Sequence, residues 1–315
     1  MCYRIIVMDE TAYNPETVVD SKPPFRERFM KGLKKFLMAV SLAYLLVVVA
    51  LVFMENQMIY PAPKFPAGNW KPSFEHEDVE FTSADGTKIH AWLMRTKVER
   101  EIPRYVLYCH GNAENVAYAS GWAGIGLMTM LECNVMVFDY RGYGKSEGSP
   151  NEAGIKLDAE RALEVFCEKM EIEPTDVILM GQSLGGAVAT HLAATKGCKA
   201  LVLQRTFSSL PDVAASKYPW IPVRWLMQNN FSSAVAIKDY KGPVFQSHGE
   251  ADSIVPIRFG EKIHANTSHE LNKFLRLPRI GHNDGFPSGY MGDLDNWLKS
   301  VEAASAEQSE ATTED

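Results

Sequence analysis

Short apolar runs that alternate with helical patterns constrain the fold of this chain more than any other feature. The apolar runs predict buried strands at Tyr105–Cys109, Val135–Phe138, Val177–Met180, Ala200–Leu203, Val244–Gln246 and Phe274–Leu277. The segments between and after them predict helices at Asn115–Leu131, Glu152–Met170, Leu184–Thr195, Arg258–Ala265 and Leu294–Val301. Strands joined by helices pair in parallel, and the helices cover both faces of the sheet. The sequence therefore predicts an α/β fold with a mostly parallel central sheet.

The predicted globular domain covers residues 75–302. It begins with a β-hairpin, Asp78–Thr82 and Lys88–Leu93, around the turn residues Ala84-Asp85-Gly86. Residues 207–241 interrupt the strand–helix alternation and are rich in proline and tryptophan. Two interpretations of this insertion stay open: a small cap over a functional site, or surface helices that only protect the sheet. The acidic residues 303–315 predict a disordered tail.

An uncharged apolar segment precedes this domain. Phe36–Met54 holds 19 residues without a charge, which as a helix would be about 28 Å long and close to the thickness of a bilayer core. Basic residues exceed acidic ones in residues 1–35, which places this tail on the cytoplasmic side and the rest of the chain in a lumenal or extracytoplasmic space. Pro61, Pro63 and Pro66 lie in residues 55–74 and predict a stiff linker there. A cleaved signal peptide and a buried core helix are the alternatives to a retained single-pass anchor.

Charge and cysteine content exclude several classes of function. The net charge is −7, and five of the acids lie between Glu302 and the last residue. A nearly neutral body without a basic stripe argues against nucleic acid as a partner. The five cysteines show no metal-ligand spacing, and His110 and His248 lack a third ligand, so neither a metal nor another cofactor is expected.

The strongest chemical signal is the sequence Gly181-Gln182-Ser183-Leu184-Gly185, between a predicted strand and a predicted helix. A sharp strand-to-helix turn at this point exposes the Ser183 hydroxyl and requires small residues two positions to either side. The turn also brings the Leu184 N–H to a helix N-terminus, where negative charge is favoured. A chance match to this short pattern is the alternative, and the flanking strand and helix argue against it.

A serine at such an elbow needs a base, which a carboxylate orients. In hydrolases with this elbow the acid and then the histidine follow the serine along the chain. His282 follows the last predicted strand and is favoured as the base. Asp252 and Glu250 both follow the preceding strand, and Asp252 is favoured because its shorter side chain holds a tighter geometry. The first predicted parallel strand runs into His110-Gly111-Asn112, where the Asn112 N–H becomes a candidate oxyanion donor together with that of Leu184.

These motifs resemble the α/β-hydrolase superfamily. Within it, the chain is similar to the membrane-anchored group of α/β-hydrolase domain-containing protein thirteen and the fungal bud-emergence homologue. The resemblance runs from about Met58 to Val301 and is carried by HGNAEN, FDYRGYGKSEGSP, GQSLGGAVATHLA, HGEADSIVP and GHND. It implies the catalytic triad Ser183, Asp252 and His282, with Asn112 and Leu184 as oxyanion donors. Glu114 departs from that group, which often has glycine there.

The resulting hypothesis is a membrane-anchored serine hydrolase that acts on an acyl ester or thioester, with a lipid-like substrate favoured by the anchor. It needs no cofactor. A serine peptidase or amidase is the second enzymatic interpretation because the same triad cleaves amides. A non-catalytic membrane scaffold that keeps the fold is the competing class. Protein partners are not predicted.

Overall fold

The computed structural model describes residues 24–313 of the chain. Within this range the backbone divides into two units, with the boundary between Leu51 and Val52. Residues 1–23, most of the predicted cytosolic tail, lie outside the described residues.

The first element is a 35-residue helix, α1, Phe25–Ile59. By length and composition α1 is a candidate membrane span. The predicted anchor, Phe36–Met54, lies wholly inside it, and the helix extends past the anchor at both ends. The segment 25–35, predicted as part of a basic tail, forms its first turns.

The second unit is built on an eight-stranded sheet with the order β1-β2-β4-β3-β5-β6-β7-β8. Strands β1 and β2 pair antiparallel with each other and β2 pairs antiparallel with β4, whereas β3 to β8 pair in parallel with their neighbours. The strands are β1 Glu77–Thr82, β2 Lys88–Met94, β3 Arg104–Cys109, β4 Cys133–Phe138, β5 Val177–Gln182, β6 Ala200–Gln204, β7 Val244–Gly249 and β8 Lys273–Leu277. The predicted mostly parallel sheet is thus confirmed, and each predicted strand is present with slightly wider bounds.

Helices cover both faces of this sheet, and two separate clusters of buried apolar side chains fill the layers on either side. The α-helices that follow α1 are α2 Val116–Ser120, α3 Glu152–Met170, α4 Leu184–Lys196, α5 Leu210–Lys217, α6 Val223–Leu226, α7 Ser233–Ala236, α8 Ile257–His264 and α9 Tyr290–Thr313. Strands β3 and β5 occupy the middle of the sheet, so the carboxyl edge of β5 lies at the centre of the domain, where parallel sheets carry their sites.

Two predicted helices differ from the structure. The segment predicted as one helix over Asn115–Leu131 is a short α2 followed by a π-helix, Gly121–Met130. Gly124 in this π-helix packs against Phe74 so closely that a Cβ there would lie 2.3 Å from the ring. The last helix, predicted to end at Val301, continues to Thr313, so the prediction of a disordered tail from residue 303 differs from the structure.

The segment predicted as a linker, 55–74, belongs to the second unit and is hydrogen-bonded to its loops. The buried carboxylate of Glu55 accepts hydrogen bonds from the backbone N–H groups of Gln228 and Asn229. Further along, the Phe65 N–H donates to the Gly144 carbonyl at 2.9 Å. Amino-acid composition does not predict hydrogen bonds between segments that are distant in sequence. For that reason the proline content alone indicated a linker.

Candidate active site

The turn between β5 and α4 has the strained backbone that its sequence predicts. Ser183 has φ 52° and ψ −115°, a conformation that side-chain-bearing residues rarely adopt. The flanking glycines are required by space: a Cβ at Gly181 would lie 2.1 Å from the Gly185 carbonyl oxygen, and one at Gly185 would lie 1.9 Å from that of Cys109. The turn therefore depends on both glycines.

The three predicted side chains of the triad meet at this turn. Nε2 of His282 lies 3.0 Å from Oγ of Ser183, and Nδ1 of the same ring lies 2.7 Å from Oδ2 of Asp252. His282 follows β8 and Asp252 follows β7, so the carboxyl ends of three parallel strands supply the set. The distances are those of hydrogen bonds between a nucleophile, a base and an acid.

Asp252 is held by more than the histidine. It is 5% exposed, and its Oδ1 accepts hydrogen bonds from the backbone N–H groups of Ile254 and Val255. Burial by itself would raise the pKa of Asp252, but the hydrogen bonds from His248, His282 and Val255 outweigh it, and the pKa lies well below its usual range. The carboxylate is therefore ionised at neutral pH. The competing acid, Glu250, is exposed.

His248 is a member of this cluster that the sequence analysis set aside. Its Nε2 lies 2.7 Å from the Val255 carbonyl oxygen and 3.5 Å from Oδ2 of Asp252. It thus braces the loop that carries the acid, while the position next to Ser183 belongs to His282. The strand-end location of His248 was visible in the sequence, but its orientation under the acid was not.

The loop after β3 carries the first predicted oxyanion donor, Asn112. Its side chain is committed to the loop: Nδ2 donates to the Ile59 carbonyl, and Oδ1 accepts a 2.7 Å hydrogen bond from the Tyr143 hydroxyl. Glu114, the residue that departs from the resembled group, accepts a 2.9 Å hydrogen bond from the Gly111 N–H. The loop is thereby fixed in shape. Leu184, the second predicted donor, is buried at the first position of α4.

A cavity of about 460 Å³ opens beside the triad. Gln182 and Asn283, the chain neighbours of Ser183 and His282, belong to its wall. Residues 207–241 contribute none of the described residues that line it. Within the insertion, α7 packs on α4.

Arg205 is a residue of the cavity wall that the sequence analysis did not consider. It lies at the end of β6, is 2% exposed, lines the cavity and donates a 2.7 Å hydrogen bond from Nη1 to the His282 carbonyl oxygen. The available signal was a charged residue two positions after the apolar run Ala200–Leu203.

A parallel sheet with a serine elbow at its centre, and an acid and a histidine on loops after the following strands, is the architecture of an α/β hydrolase. The second unit has this architecture throughout. Backbone topology and the position of the Ser183 turn are the two features that define the α/β-hydrolase class here.

Comparison with known proteins agrees with this class. A family model described as the alpha/beta hydrolase fold matches residues 105–236. The chain is 34% identical to an uncharacterised protein of Mycobacterium tuberculosis, covering 73% of this chain and 81% of that protein. It is 32% identical to protein bem46 of Schizosaccharomyces pombe, covering 78% and 85%. The Pyrococcus furiosus esterase Pf2001 superimposes with a TM-score of 0.61 at 20% identity, covering 76% of this chain and 98% of that one. The chain belongs to the α/β-hydrolase family, and the resemblance inferred from its motifs is confirmed.

Proposed function

We propose that the protein is a membrane-anchored serine hydrolase that cleaves acyl esters or thioesters. The observation that carries the proposal is the continuous chain of contacts from Ser183 Oγ through the His282 ring to Asp252, at 3.0 and 2.7 Å. Esterases among the proteins of similar fold agree with an ester substrate. The candidate span α1 favours a substrate that is lipid-like.

The proposed reaction begins when Ser183 Oγ attacks the acyl carbonyl carbon while His282 Nε2 accepts the hydroxyl proton. Asp252 stabilises the imidazolium and keeps its proton-accepting nitrogen toward the serine. The negative charge that develops on the carbonyl oxygen is stabilised by the N–H groups of Asn112 and Leu184, each worth about 3 kcal/mol in the transition state. His282 then protonates the leaving oxygen or sulfur, and an acyl-enzyme forms on Ser183.

The second half of the reaction uses the same groups. A water molecule donates its proton to His282 Nε2 as its oxygen attacks the acyl-enzyme carbonyl carbon. The tetrahedral intermediate then collapses, the bond to Ser183 Oγ breaks, and His282 returns the proton to the serine. The carboxylic acid leaves, and the enzyme is restored without a cofactor.

The test is covalent labelling with a fluorophosphonate probe, which phosphonylates activated serines. Wild type and Ser216→Ala should label, and Ser183→Ala should not. Ser216 is a suitable control because it is an exposed serine whose hydroxyl only donates to the Val213 carbonyl of its own helix. Folded wild-type protein that fails to label would contradict the proposal and favour the scaffold. Comparing butyryl ester, thioester and amide substrates separates the esterase from a peptidase or amidase.

We further propose a single-pass orientation with the N-terminus in the cytoplasm and the hydrolase domain lumenal or extracytoplasmic. The excess of basic residues before the apolar part of α1 supports it. The sequons Asn230-Phe231-Ser232 and Asn266-Thr267-Ser268 provide the assay, and Asn230 is exposed. A glycosidase-sensitive mass lost in Asn230→Gln or Asn266→Gln agrees with this orientation. Protease sensitivity of the domain from the cytosolic side of sealed vesicles would contradict it.

A further inference from the structure

The ends of β5 and β6 are built alike. Gln182 pairs with Gln204 across the two strands, so Ser183 and Arg205 occupy equivalent positions directly beyond them. Both residues have positive φ, 52° and 50°. Their backbones are tied in the same way, since the Ser183 N–H donates to the Gln204 carbonyl and the Arg205 N–H donates to the Ser247 carbonyl, each at 2.9 Å.

Positive φ is energetically costly in a residue that carries a side chain, and most of all in a bulky one. At β5 the strained turn presents the serine. At β6 it presents a buried guanidinium beside the same site, which is a second expensive arrangement, because burying an arginine also removes its hydration. Burial accordingly lowers the pKa of Arg205, although nearby Tyr290 and the carboxylates of Asp252 and Asp284 oppose this shift.

The hydrogen-bonding capacity of Arg205 is mostly unused. Nη1 donates to the His282 carbonyl, but Nε and Nη2 are buried and have no acceptor among the described residues. A second donor on the cavity wall, the indole Nε1 of Trp122, is also buried and unpartnered within the described part of the chain. Arg205 and Trp122 both contact Phe286, with the guanidinium carbon 4.3 Å and the Trp122 ring 5.0 Å from the Phe286 ring centre.

The cavity wall therefore includes two residues with buried N–H groups that have no partner within the described part of the chain, Arg205 and Trp122. Its two acidic members are already engaged: Glu114 accepts from the Gly111 N–H, and Asp284 accepts from the Gly281 N–H at 2.7 Å. Neither carboxylate is hydrogen-bonded to Arg205 within the described residues, because Nη1 donates to the His282 carbonyl and Nε and Nη2 have no acceptor there. The remaining wall is largely apolar, with Met130, Phe286 and Met291 among its members.

We propose that this cavity binds a singly charged oxyanion at the end of an aliphatic part of the substrate, with Arg205 and Trp122 as the specificity-determining residues. This inference rests on the proposed function for the same site. Glu114 and Asp284 line the cavity together with the single guanidinium, so a dianion would meet more repulsion there than a monoanion. A carboxylate and a phosphodiester are both monoanions that a guanidinium binds through charged hydrogen bonds. The apolar wall suits the carbon chain between the charge and the scissile ester.

The first test compares two substrates that differ in the terminal charge, mono-p-nitrophenyl adipate and p-nitrophenyl hexanoate. The ratio of their kcat/KM values should favour the charged ester in wild type. Arg205→Gln should lower this ratio by about 10- to 100-fold, mainly through KM, because a charged hydrogen bond to a buried partner is lost. Arg205→Lys keeps the charge but loses the planar donor pair, so its ratio should lie between those of wild type and Arg205→Gln.

The ratio of the two kcat/KM values cancels any effect of the substitution that is common to both substrates. Loss of the hydrogen bond to the His282 carbonyl affects both substrates, and every variant other than glycine carries the same backbone strain. A ratio that Arg205→Gln leaves unchanged would overturn the proposal, and so would a wild-type preference for the neutral ester.

A binding measurement separates this inference from the proposed function, because it needs no turnover. In Ser183→Ala protein, monomethyl adipate or dimethyl phosphate should raise the melting temperature, and neutral dimethyl adipate should not. Adding Arg205→Gln should abolish the shift. Stabilisation by monomethyl adipate alone identifies the carboxylate, and stabilisation by dimethyl phosphate alone identifies the phosphodiester. If neither anion shifts the melting temperature, the site does not bind oxyanions, whatever the fluorophosphonate labelling shows.

Discussion

Gly185→Ala should separate the nucleophile from the proposed oxyanion donor Asn112. The added Cβ would lie 1.9 Å from the Cys109 carbonyl oxygen and 2.6 Å from that of His110. A carbon–oxygen contact needs about 3.3 Å, so β3 and α4 would have to separate by about 1.4 Å. Both obstacles are backbone oxygen atoms, one in the last residue of β3 and one in the residue after it, and they cannot rotate away as a flexible side chain can.

The expected cost follows from that displacement. Overpacking of this kind lowers the free energy of unfolding by about 1–3 kcal/mol. Because α4 carries Ser183 and Leu184 whereas β3 leads to Asn112, the same movement separates the attacking hydroxyl from the donor loop. A misplacement of about 1 Å costs about 100-fold in catalysis. We expect kcat/KM for p-nitrophenyl butyrate to fall by at least about this factor while the protein remains folded.

A second glycine provides the matched control. Gly292 lies in α9, and a Cβ there would meet nothing within 4 Å. Gly292→Ala should leave activity unchanged and raise the free energy of unfolding by up to about 1 kcal/mol, through helix propensity alone. Initial rates and urea unfolding of both variants give the comparison. Wild-type activity in Gly185→Ala would refute the close approach of β3 and α4 on which the argument depends.

Three further predictions concern the acid and the end of α1. Asp252→Asn should lower kcat by about 10³- to 10⁴-fold with little change in KM, since it removes the anion that orients His282; an unchanged kcat would mean that the acid lies elsewhere. The folded-state pKa of Asp252 is depressed below the ordinary 3.8, so its stabilising effect is fully present above about pH 5 and is lost as the pH falls toward the folded pKa. Urea unfolding should therefore show wild type and Asp252→Asn converging in stability between pH 5 and pH 3, and a gap that widens on acidification would contradict this. Glu55→Ala should lower the free energy of unfolding by about 1.5–3 kcal/mol, because the buried N–H groups of Gln228 and Asn229 lose a charged acceptor. For the same reason, a chain beginning at Pro61 should have a lower melting temperature than one beginning at Val52. Equal melting temperatures would show that residues 52–60 contribute nothing to stability.

The parts of this protein that the sequence predicted are those determined locally. The strand at Val177–Gln182 is a short apolar run, and its side chains are buried on both faces of the sheet. The elbow is a local steric requirement, with Gly181 and Gly185 at fixed distances from Ser183. Chain order favoured His282 as the base, and side-chain length favoured Asp252 over Glu250 as the acid. In the structure the His282 ring lies between Ser183 and Asp252 and contacts both.

The parts that the sequence missed depend on distant contacts. The π-helix at Gly121–Met130 is formed by an apolar, glycine-containing segment whose periodicity did not indicate the wider helical turn. Glu55 was assigned to a linker, although its carboxylate satisfies buried N–H groups about 170 positions away along the chain. No periodic pattern encodes such a pair, because only the closed fold brings the two segments together.

Arg205 has one feature that is determined locally and one that depends on distant contacts. Its position is local, one residue beyond a central parallel strand, as Ser183 is one residue beyond the neighbouring strand. Its proposed role depends on tertiary structure, because only the folded cavity shows that Nε and Nη2 lack partners among the described residues. A fold that accepts backbone strain twice at adjacent strand ends, once for a nucleophile and once for a buried cation, has a chemical reason at the first. If the second has the same reason, the substrate of this hydrolase carries a negative charge within one cavity's length of the bond that is cleaved.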